Sequence, residues 1–588
     1  MENNSDELEF RFAIDRGGTF TDVYCEIHNL TTNNKEIVVE KLLSVDPNNY
    51  QDAPTEGIRR ILQKYLEKKI PRNEQIDTSQ IVSIRMGTTV ATNALLERKG
   101  ERTALFITKG FKDLLHIGNQ SRPNIFDLVL SKPHKLYEEV IEVSERILPV
   151  NTTVEDNNDT VLGQDGANYK IITPLNIEKV REQLQEVKDC GFNSIAIVFM
   201  HSYAYPSHEN AVAEIAEEIG FSQISRSADV MARQKIVKRG DTCTVDAYLN
   251  PHIKKYLDGF KSGFDGKLTE NVSLFFMQSD GGLSPMDSFR GSKAILSGPA
   301  GGVVGYAQTT SRILGEENKL PVIGFDMGGT STDVSRYDKE YDLIFETNIA
   351  GVSIQAPQLD INTVAAGGGS RLFFRKGLFV VGPESASADP GPVCYRKKGY
   401  LTITDANLAL GRLLPEFFPK IFGKSEDQPL DIYATKTAFD ELTRNINEFN
   451  NEKGSHELTV HEVANGFIKV ANEAMSRPIR SITQARGFTP KNHILSIFGG
   501  AGGQHGCAIA KNLGIKKVVI HKYCGILSAY GMGLANVIEE MEEPHSGEYS
   551  TEEVKDIEEN HFPKLQEKNN QELLRLGIST EQIEHSKE

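Results

Sequence analysis

The sequence predicts an α/β protein made of two lobes with similar topology. Three observations lead there: strand-like, turn-like and helix-like stretches alternate along the chain, one eight-residue pattern occurs twice at a wide separation, and the composition is that of an ordinary globular protein. Apolar residues make up 39% and charged residues 25% of the 588 positions, so neither disorder nor a fibrous repeat is indicated. At roughly 150 residues per domain, a chain of this length divides into two to four domains.

The repeat is specific. Asp15-Arg16-Gly17-Gly18-Thr19-Phe20-Thr21-Asp22 returns as Asp326-Met327-Gly328-Gly329-Thr330-Ser331-Thr332-Asp333, with aspartates, glycines and threonines at the same offsets. Phe10 to Ile14 alternates apolar with polar before the first copy, and Val322, Ile323 and Phe325 precede the second. Val23 or Val334 resumes afterwards, so each copy reads as a β-hairpin with a glycine turn. The separation is far beyond the roughly 20–50 residues of stacked repeats. It points to two lobes with a ligand site between them.

Within the first lobe, Ile58, Ile61, Leu62, Tyr65 and Leu66 recur at helical spacing. Ile81 to Met86 then reads as a strand leading through Gly87-Thr88-Thr89 into a helix that ends near Leu96. Asn151 to Asn168 is rich in Asn, Asp, Thr and Gly and reads as a surface excursion. Between Ala228 and Asp241 an amphipathic helix gives way to a basic stretch, and a lobe boundary is expected there. The expected division is a flexible N-terminus at 1–8, a first lobe at 9–230, a second lobe at 231–545, and an acidic segment at 546–588 with little to bury against. Asn450 to His456 is a polar loop. His493 to Phe498 reads as a strand, and Gly499-Gly500-Ala501-Gly502-Gly503 follows it directly into a helix near Gln504.

The repeated pattern has a physical use. Glycines let backbone N–H groups approach phosphate oxygens, threonine hydroxyls add donors, and an aspartate at a strand end can hold a magnesium ion or its waters. A single hairpin of this kind is as readily a capped glycine turn. Two with matched offsets can grip phosphates from opposite sides. Asp15 and Asp326 are therefore the expected metal-organising residues, and Gly17, Gly18, Thr19, Gly328, Gly329 and Thr330 the expected phosphate contacts. Thr21, Thr332, Asp22 and Asp333 are secondary candidates. The loop holding Gly499, Gly500, Gly502 and Gly503 leaves room for a flat ring and is expected to hold adenosine. No Walker A motif competes, because Phe418 stands where the leading glycine before Gly423-Lys424-Ser425 would be.

Charge and cysteine usage exclude other classes. Acidic residues exceed basic ones by 16, which disfavours a nucleic-acid partner, since broad phosphate binding needs a basic face. Cys25, Cys190, Cys243, Cys394, Cys507 and Cys524 form no C-x-x-C pair, so free thiols in a reducing cytosol are expected. The start of the chain is acidic and polar, unlike a secretory signal. No stretch approaches the roughly 18 apolar residues of a membrane span.

The two hairpins and the glycine loop, in this order, resemble the phosphate-1, phosphate-2 and adenosine motifs of the actin, Hsp70 and sugar-kinase superfamily, which implies a duplicated RNase H-like ATPase fold. Residues 14–22, 87–100, 296–305, 325–335, 388–394 and 498–505 look like the hydantoinase A family. Residues 46–62, 118–128, 382–411 and 475–487 look like its eukaryotic-type 5-oxoprolinase branch. The resemblance covers roughly residues 9 to 545. It departs at Tyr395-Arg396-Lys397-Lys398-Gly399, where the family has more glycine.

The resemblance implies that ATP and Mg2+ are used to open 5-oxo-L-proline to L-glutamate, with release of ADP and phosphate and with Asp15 and Asp326 in catalysis. Members of that branch continue into a hydantoinase B-like half. This chain is therefore expected to supply the ATP-binding, lactam-activating half, to work with a B-like half or subunit, and to form a homo-oligomer. A substrate carboxylate calls for an arginine fork. Arg122 is the expected residue, with Arg16 and Arg371 as alternatives. His505 is expected to be structural. The competing readings are a nucleotide-binding module without catalysis and an ATP-dependent hydantoinase-like subunit.

Overall fold

Alternating apolar residues set the first hairpin. Phe10, Phe12 and Ile14 of β1 (Leu8–Arg16) are buried together, and β2 (Phe20–Asn29) returns antiparallel with Asp15 opposite Asp22. The structure is a computed structural model describing residues 8–119, 134–150, 160–315, 319–349, 351–423 and 425–587. Of the N-terminal segment expected at 1–8, residues 1–7 lie outside this range and Leu8 is already in β1.

From β2 the chain turns into β3 (Asn34–Leu43). Helix α1 (Ala53–Tyr65) starts where the Asp52 carboxylate accepts the Thr55 N–H, a side-chain cap that satisfies an otherwise orphaned donor. It buries Ile58, Ile61 and Leu62. Strand β4 (Ile81–Thr88) lies parallel to β1 on its other edge and runs into α2 (Val90–Leu96), as the pattern of residues 81–96 predicts. A separate, wholly parallel sheet is built from β5 (Thr103–Thr108), β6 (Glu139–Val143), β7 (Ser194–Val198) and β8 (Gln223–Arg226), in the order β8-β7-β5-β6.

The stretch expected as a surface excursion differs in part. Residues 151–159 lie outside the described range, but Thr160–Leu162 and Asn168–Thr173 pair with each other and with Arg146–Pro149 in a small sheet. Tyr169 explains this order within a polar segment. It is 2% exposed, and its hydroxyl donates to Asp165.

Helix α3 (Ile236–Ser262) buries Val245, Leu249 and Ile253 in the core of the first sheet and Cys243 and Ala247 against the parallel sheet. Strands β9 (Ser273–Met277) and β10 (Leu283–Pro285) then complete the first sheet in the order β10-β9-β4-β1-β2-β3. That sheet takes strands from both sides of the boundary expected at 230/231. Helix α4 (Ser297–Leu314) follows and touches strands of this sheet and of the second-lobe sheet.

In the second lobe, β11 (Val322–Met327) and β12 (Thr332–Tyr337) are antiparallel, with Asp326 opposite Asp333. Strand β13 (Ile361–Val364) pairs antiparallel with β12, β14 (Ile494–Phe498) pairs parallel with β11, and β15 (Lys517–Val519) follows β14. The segments β4-β1-β2-β3 and β14-β11-β12-β13 therefore have the same order and directions. This is the duplication the sequence repeat predicts. Helices α5 (Ile403–Ala409), α6 (Ile432–Glu452), α7 (Val460–Ile482) and α8 (Gly502–Leu513) contribute to the second core around Phe325, Phe439, Phe467 and Ile497.

Helix α9 (Leu527–Leu534) lies on α4 and reaches β1. The two helices meet backbone to backbone. A methyl group on Gly531 would fall 1.9 Å from the Gly301 carbonyl oxygen. Beyond this, α10 (Thr551–Asp556) and α11 (Phe562–Arg575) bury no residue, in line with the acidic character of 546–588. Among the described residues no helix is long and apolar enough to cross a membrane.

Candidate functional site

A cleft of about 1030 Å3 lies between the two hairpins. Each turn is closed by the same bond, from Gly17 N–H to the Phe20 carbonyl at 3.1 Å and from Gly328 N–H to the Ser331 carbonyl at 3.0 Å. Gly17 and Gly328 thus use their N–H groups to shape the turns. Backbone donors for a phosphate would come from the residues after them, Gly18-Thr19 and Gly329-Thr330, all of which line the cleft. The tips meet, with the Thr19 and Thr330 hydroxyls 3.2 Å apart.

Four aspartates converge at the strand ends: Asp15, Asp22, Asp326 and Asp333 all line the cleft. Burial, then the Asp22 charge, pushes the Asp15 carboxyl up to about 7 despite the opposing Lys41. Asp326 is held well above the usual carboxylate range by burial and by Asp333, Asp15 and Asp22. Asp333 is pushed up to about 6 by burial. Their hydrogen bonds are few. Asp326 has the Ser528 hydroxyl at 3.5 Å, Asp333 has the Thr363 hydroxyl at 2.5 Å, and the buried Oδ1 of Asp15 has no partner among the described residues.

Such a cluster suits a cation. Among the described residues no group of three or more His, Cys, Asp or Glu is gathered to hold a metal by side chains alone. Mg2+ does not need one, because it keeps several waters and takes one or two carboxylates together with phosphate oxygens. The orphaned Asp15 oxygen, in the cleft that Asp326 also lines, fits that pattern.

The expected residues divide by position. Gly18, Thr19, Gly329 and Thr330 line the cleft, as do Gly17 and Gly328, whereas Thr21 and Thr332 do not. The Thr21 hydroxyl bonds the Ser44 hydroxyl at 3.0 Å, and the Thr332 hydroxyl donates to the Ala366 carbonyl at 2.5 Å; both residues are fully buried. Neighbouring residues in a strand face opposite ways, so a cleft-facing Asp22 or Asp333 turns the preceding threonine toward the core. Gly499 and Gly500 line the cleft and Gly502 and Gly503 do not. Gly499 has φ +81°, and a Cβ there would lie 2.2 Å from Asp326 Oδ1. Gly502 packs on Ile497, and Gly503 opens onto solvent at the start of α8.

Arg122 lies outside the described residues. Arg16 stacks over Tyr256 at 5.2 Å and Arg371 over Tyr400 at 3.8 Å, and neither lines the cleft. His505, expected to be structural, does not line the cleft. It is fully buried, with Asn407 donating to Nε2 at 2.9 Å and Nδ1 donating to Asn472 at 2.6 Å, and burial pushes its pKa down to about 3.

Sequence reasoning missed three contributors. Gly367-Gly368-Gly369 forms a loop lying on the second hairpin, with N–H bonds from Gly368 to the Gly328 carbonyl at 3.0 Å and from Gly369 to the Gly329 carbonyl at 2.6 Å. The glycine run itself was a usable signal. The N-terminus of α4 brings Gly298 within 3.2 Å of Asp15 Oδ1, measured from the Cβ it lacks. Lys41, the third, has no local signal at all.

Comparison with known proteins completes the picture. The family model described as Hydantoinase/oxoprolinase matches residues 239–541, and that of the Hydantoinase/oxoprolinase N-terminal region matches residues 11–220. The 5-oxoprolinase 1 of Arabidopsis thaliana is 57% identical over 554 residues, which is 94% of this chain and 43% of that protein. The 5-oxoprolinase of Dictyostelium discoideum is 54% identical over 589 residues, 97% of this chain and 46% of that protein. The chain therefore spans a little under half the length of these curated relatives. The crystal structure of the ATP-dependent caprolactamase from Pseudomonas jessenii superposes with a TM-score of 0.65 at 27% identity, covering 90% of this chain and 71% of that chain, and shares the two-lobed fold.

Proposed function

The chain belongs to the hydantoinase/oxoprolinase family, and from that premise we propose that it binds ATP and activates a lactam, 5-oxo-L-proline, for hydrolysis to L-glutamate with release of ADP and phosphate. The observation that carries this reading is the meeting of two equivalent glycine-threonine hairpins over four convergent aspartates.

The chemistry explains the need for ATP. A five-membered lactam is an unactivated amide whose closure is entropically favourable. Transfer of a phosphoryl group to the amide oxygen turns the carbonyl carbon into an electrophile that water can attack. Phosphoryl transfer depends mainly on positioning and charge neutralisation, which two facing hairpins are suited to supply. Asp15 and Asp326 would hold Mg2+, whose charge offsets that of the phosphates when bound. Gly18, Thr19, Gly329 and Thr330 position the phosphates, and the Gly499-Gly500 turn borders the adenosine. Water attack is assigned to a hydantoinase B-like half or subunit, and a homo-oligomer is the proposed assembly. Six free cysteines fit a cytosolic setting.

The test is to incubate the chain with ATP, magnesium and labelled 5-oxo-L-proline, with and without a B-like partner. ATP binding by the chain alone is expected, with glutamate and phosphate formed in equal amounts when the partner is added. Preference for a hydantoin over 5-oxo-L-proline would overturn the substrate assignment. Full turnover by the chain alone would place the hydrolytic residues here instead.

A further inference from the structure

Strand β3 brings a lysine to the four carboxylates. Lys41 stands opposite Asp22 in the β2–β3 register, and its ammonium pairs with the Asp22 carboxylate. The same nitrogen lies 3.4 Å from the Gly525 carbonyl oxygen, on the segment that leads into α9, and 5.0 Å from the centre of the Phe20 ring. It thus spans from the first lobe to a loop that continues from the second-lobe sheet. Lys41 lines the cleft with its side chain 15% exposed.

Among the described residues, the other cations lining the cleft are Arg60 and Lys420. Arg60 is committed to Glu56 and Glu426, each at 3.0 Å, and Lys420 is exposed. An ammonium has three N–H donors. Asp22 and Gly525 account for two of those on Lys41, and the two anchors hold the group beside the hairpin tips.

We propose that the third N–H of Lys41 contacts the terminal phosphoryl group of the bound nucleotide, an inference that rests on the cleft being the ATP site. The place is set by the hairpin tips, Gly18-Thr19 and Gly329-Thr330, which position the phosphates in that reading and line the same cleft as Lys41. In the transfer, the bond from phosphorus to the ADP oxygen breaks with its electron pair left on ADP, and a bond forms from phosphorus to the lactam oxygen. Lys41 gives up no proton. It holds an equatorial oxygen of the group in flight, already oriented by its two anchors.

Calorimetry with ADP and with the non-hydrolysable β,γ-imido analogue of ATP, both with magnesium, tests this on the whole chain. Lys41→Met should weaken the analogue by about 10- to 100-fold, the worth of a hydrogen bond to a charged group, and ADP by no more than about threefold. Because Lys41→Met leaves Asp22 without its partner, the double variant Lys41→Met/Asp22→Asn, which removes both charges, is measured beside it and should show the same selective loss. Lys41→Arg should recover part of the difference. Equal weakening of both nucleotides would reduce Lys41 to a shaping role and overturn the proposal, as would no change in either. If the unaltered chain binds neither nucleotide, the ATP-site reading itself fails.

Discussion

Thr19 and Thr330, 311 positions apart in sequence, place their hydroxyls 3.2 Å from each other where the two hairpins meet. The neighbouring backbone leaves no slack. A Cβ on Gly329 would sit 2.5 Å from the Thr19 hydroxyl oxygen, whereas one on Gly503 meets nothing within 4 Å. Gly329→Ala should therefore displace one hairpin and weaken ATP binding by about 10- to 100-fold. Gly503→Ala should leave affinity unchanged and raise stability by about 0.5 kcal/mol, since alanine is the better helix former. Equal affinities for the two variants in calorimetry would contradict the tip-to-tip geometry.

The aspartate cluster predicts effects of opposite sign. Asp326→Ala removes a buried carboxylate that faces three others, so the metal-free chain should unfold at a higher temperature while magnesium-dependent nucleotide binding is lost. Asp338, 46% exposed and paired with Arg336 at 2.6 Å, serves as control. Asp338→Ala should change stability by about 0.5 kcal/mol or less. Thermal unfolding with and without magnesium and ATP measures both effects.

Nucleotide binding should release protons. The Asp15 carboxyl is raised to about 7, so between its ordinary value and pH 7 the folded chain holds a proton that the unfolded chain does not. The contribution of Asp15 to stability thus falls as pH rises through this window. A metal requires the charged form, so affinity for magnesium and ATP should rise from pH 6 to pH 8 and then level off. Calorimetry at pH 6 in buffers of different ionisation enthalpy should show proton release. Proton uptake would refute the assignment of Asp15.

His505 works in the other direction. Its folded pKa of about 3 lies below the unfolded value of about 6.5, so below pH 6.5 the unfolded chain takes up a proton that the folded chain refuses. Its contribution is intact above that pH and declines as pH falls toward 3, by at most about 1.4 kcal/mol per unit. The drop in urea midpoint between pH 7 and pH 5 should be smaller in His505→Gln than in the unaltered chain. An unchanged drop would mean that other groups carry the acid sensitivity.

The two hairpins and the Gly499–Gly503 loop are legible in the sequence because each is a short stretch whose residues act together. The division of labour inside them is less so. Thr19 and Thr21 look alike in the pattern, but one stands at the turn and the other on the buried face of β2, a distinction made by strand alternation. Lys41 owes its place to cross-strand register with Asp22, which no nearby residue announces. The boundary expected at 230/231 falls between the two matched family regions, 11–220 and 239–541, yet it does not divide the sheets. Strand β9 returns to β4 after the whole parallel sheet has been inserted between them, and the basic stretch leads into α3.

The glycine contact between α4 and α9 has a mechanical consequence. With Gly531 set against the Gly301 carbonyl, the two backbones touch at that point, and the Met532 and Leu527 side chains of α9 pack on Gly301 and Gly305 to either side. Helix α4 touches strands of both sheets, so any residue larger than glycine at position 531 would force apart the helix pair on which both lobes rest.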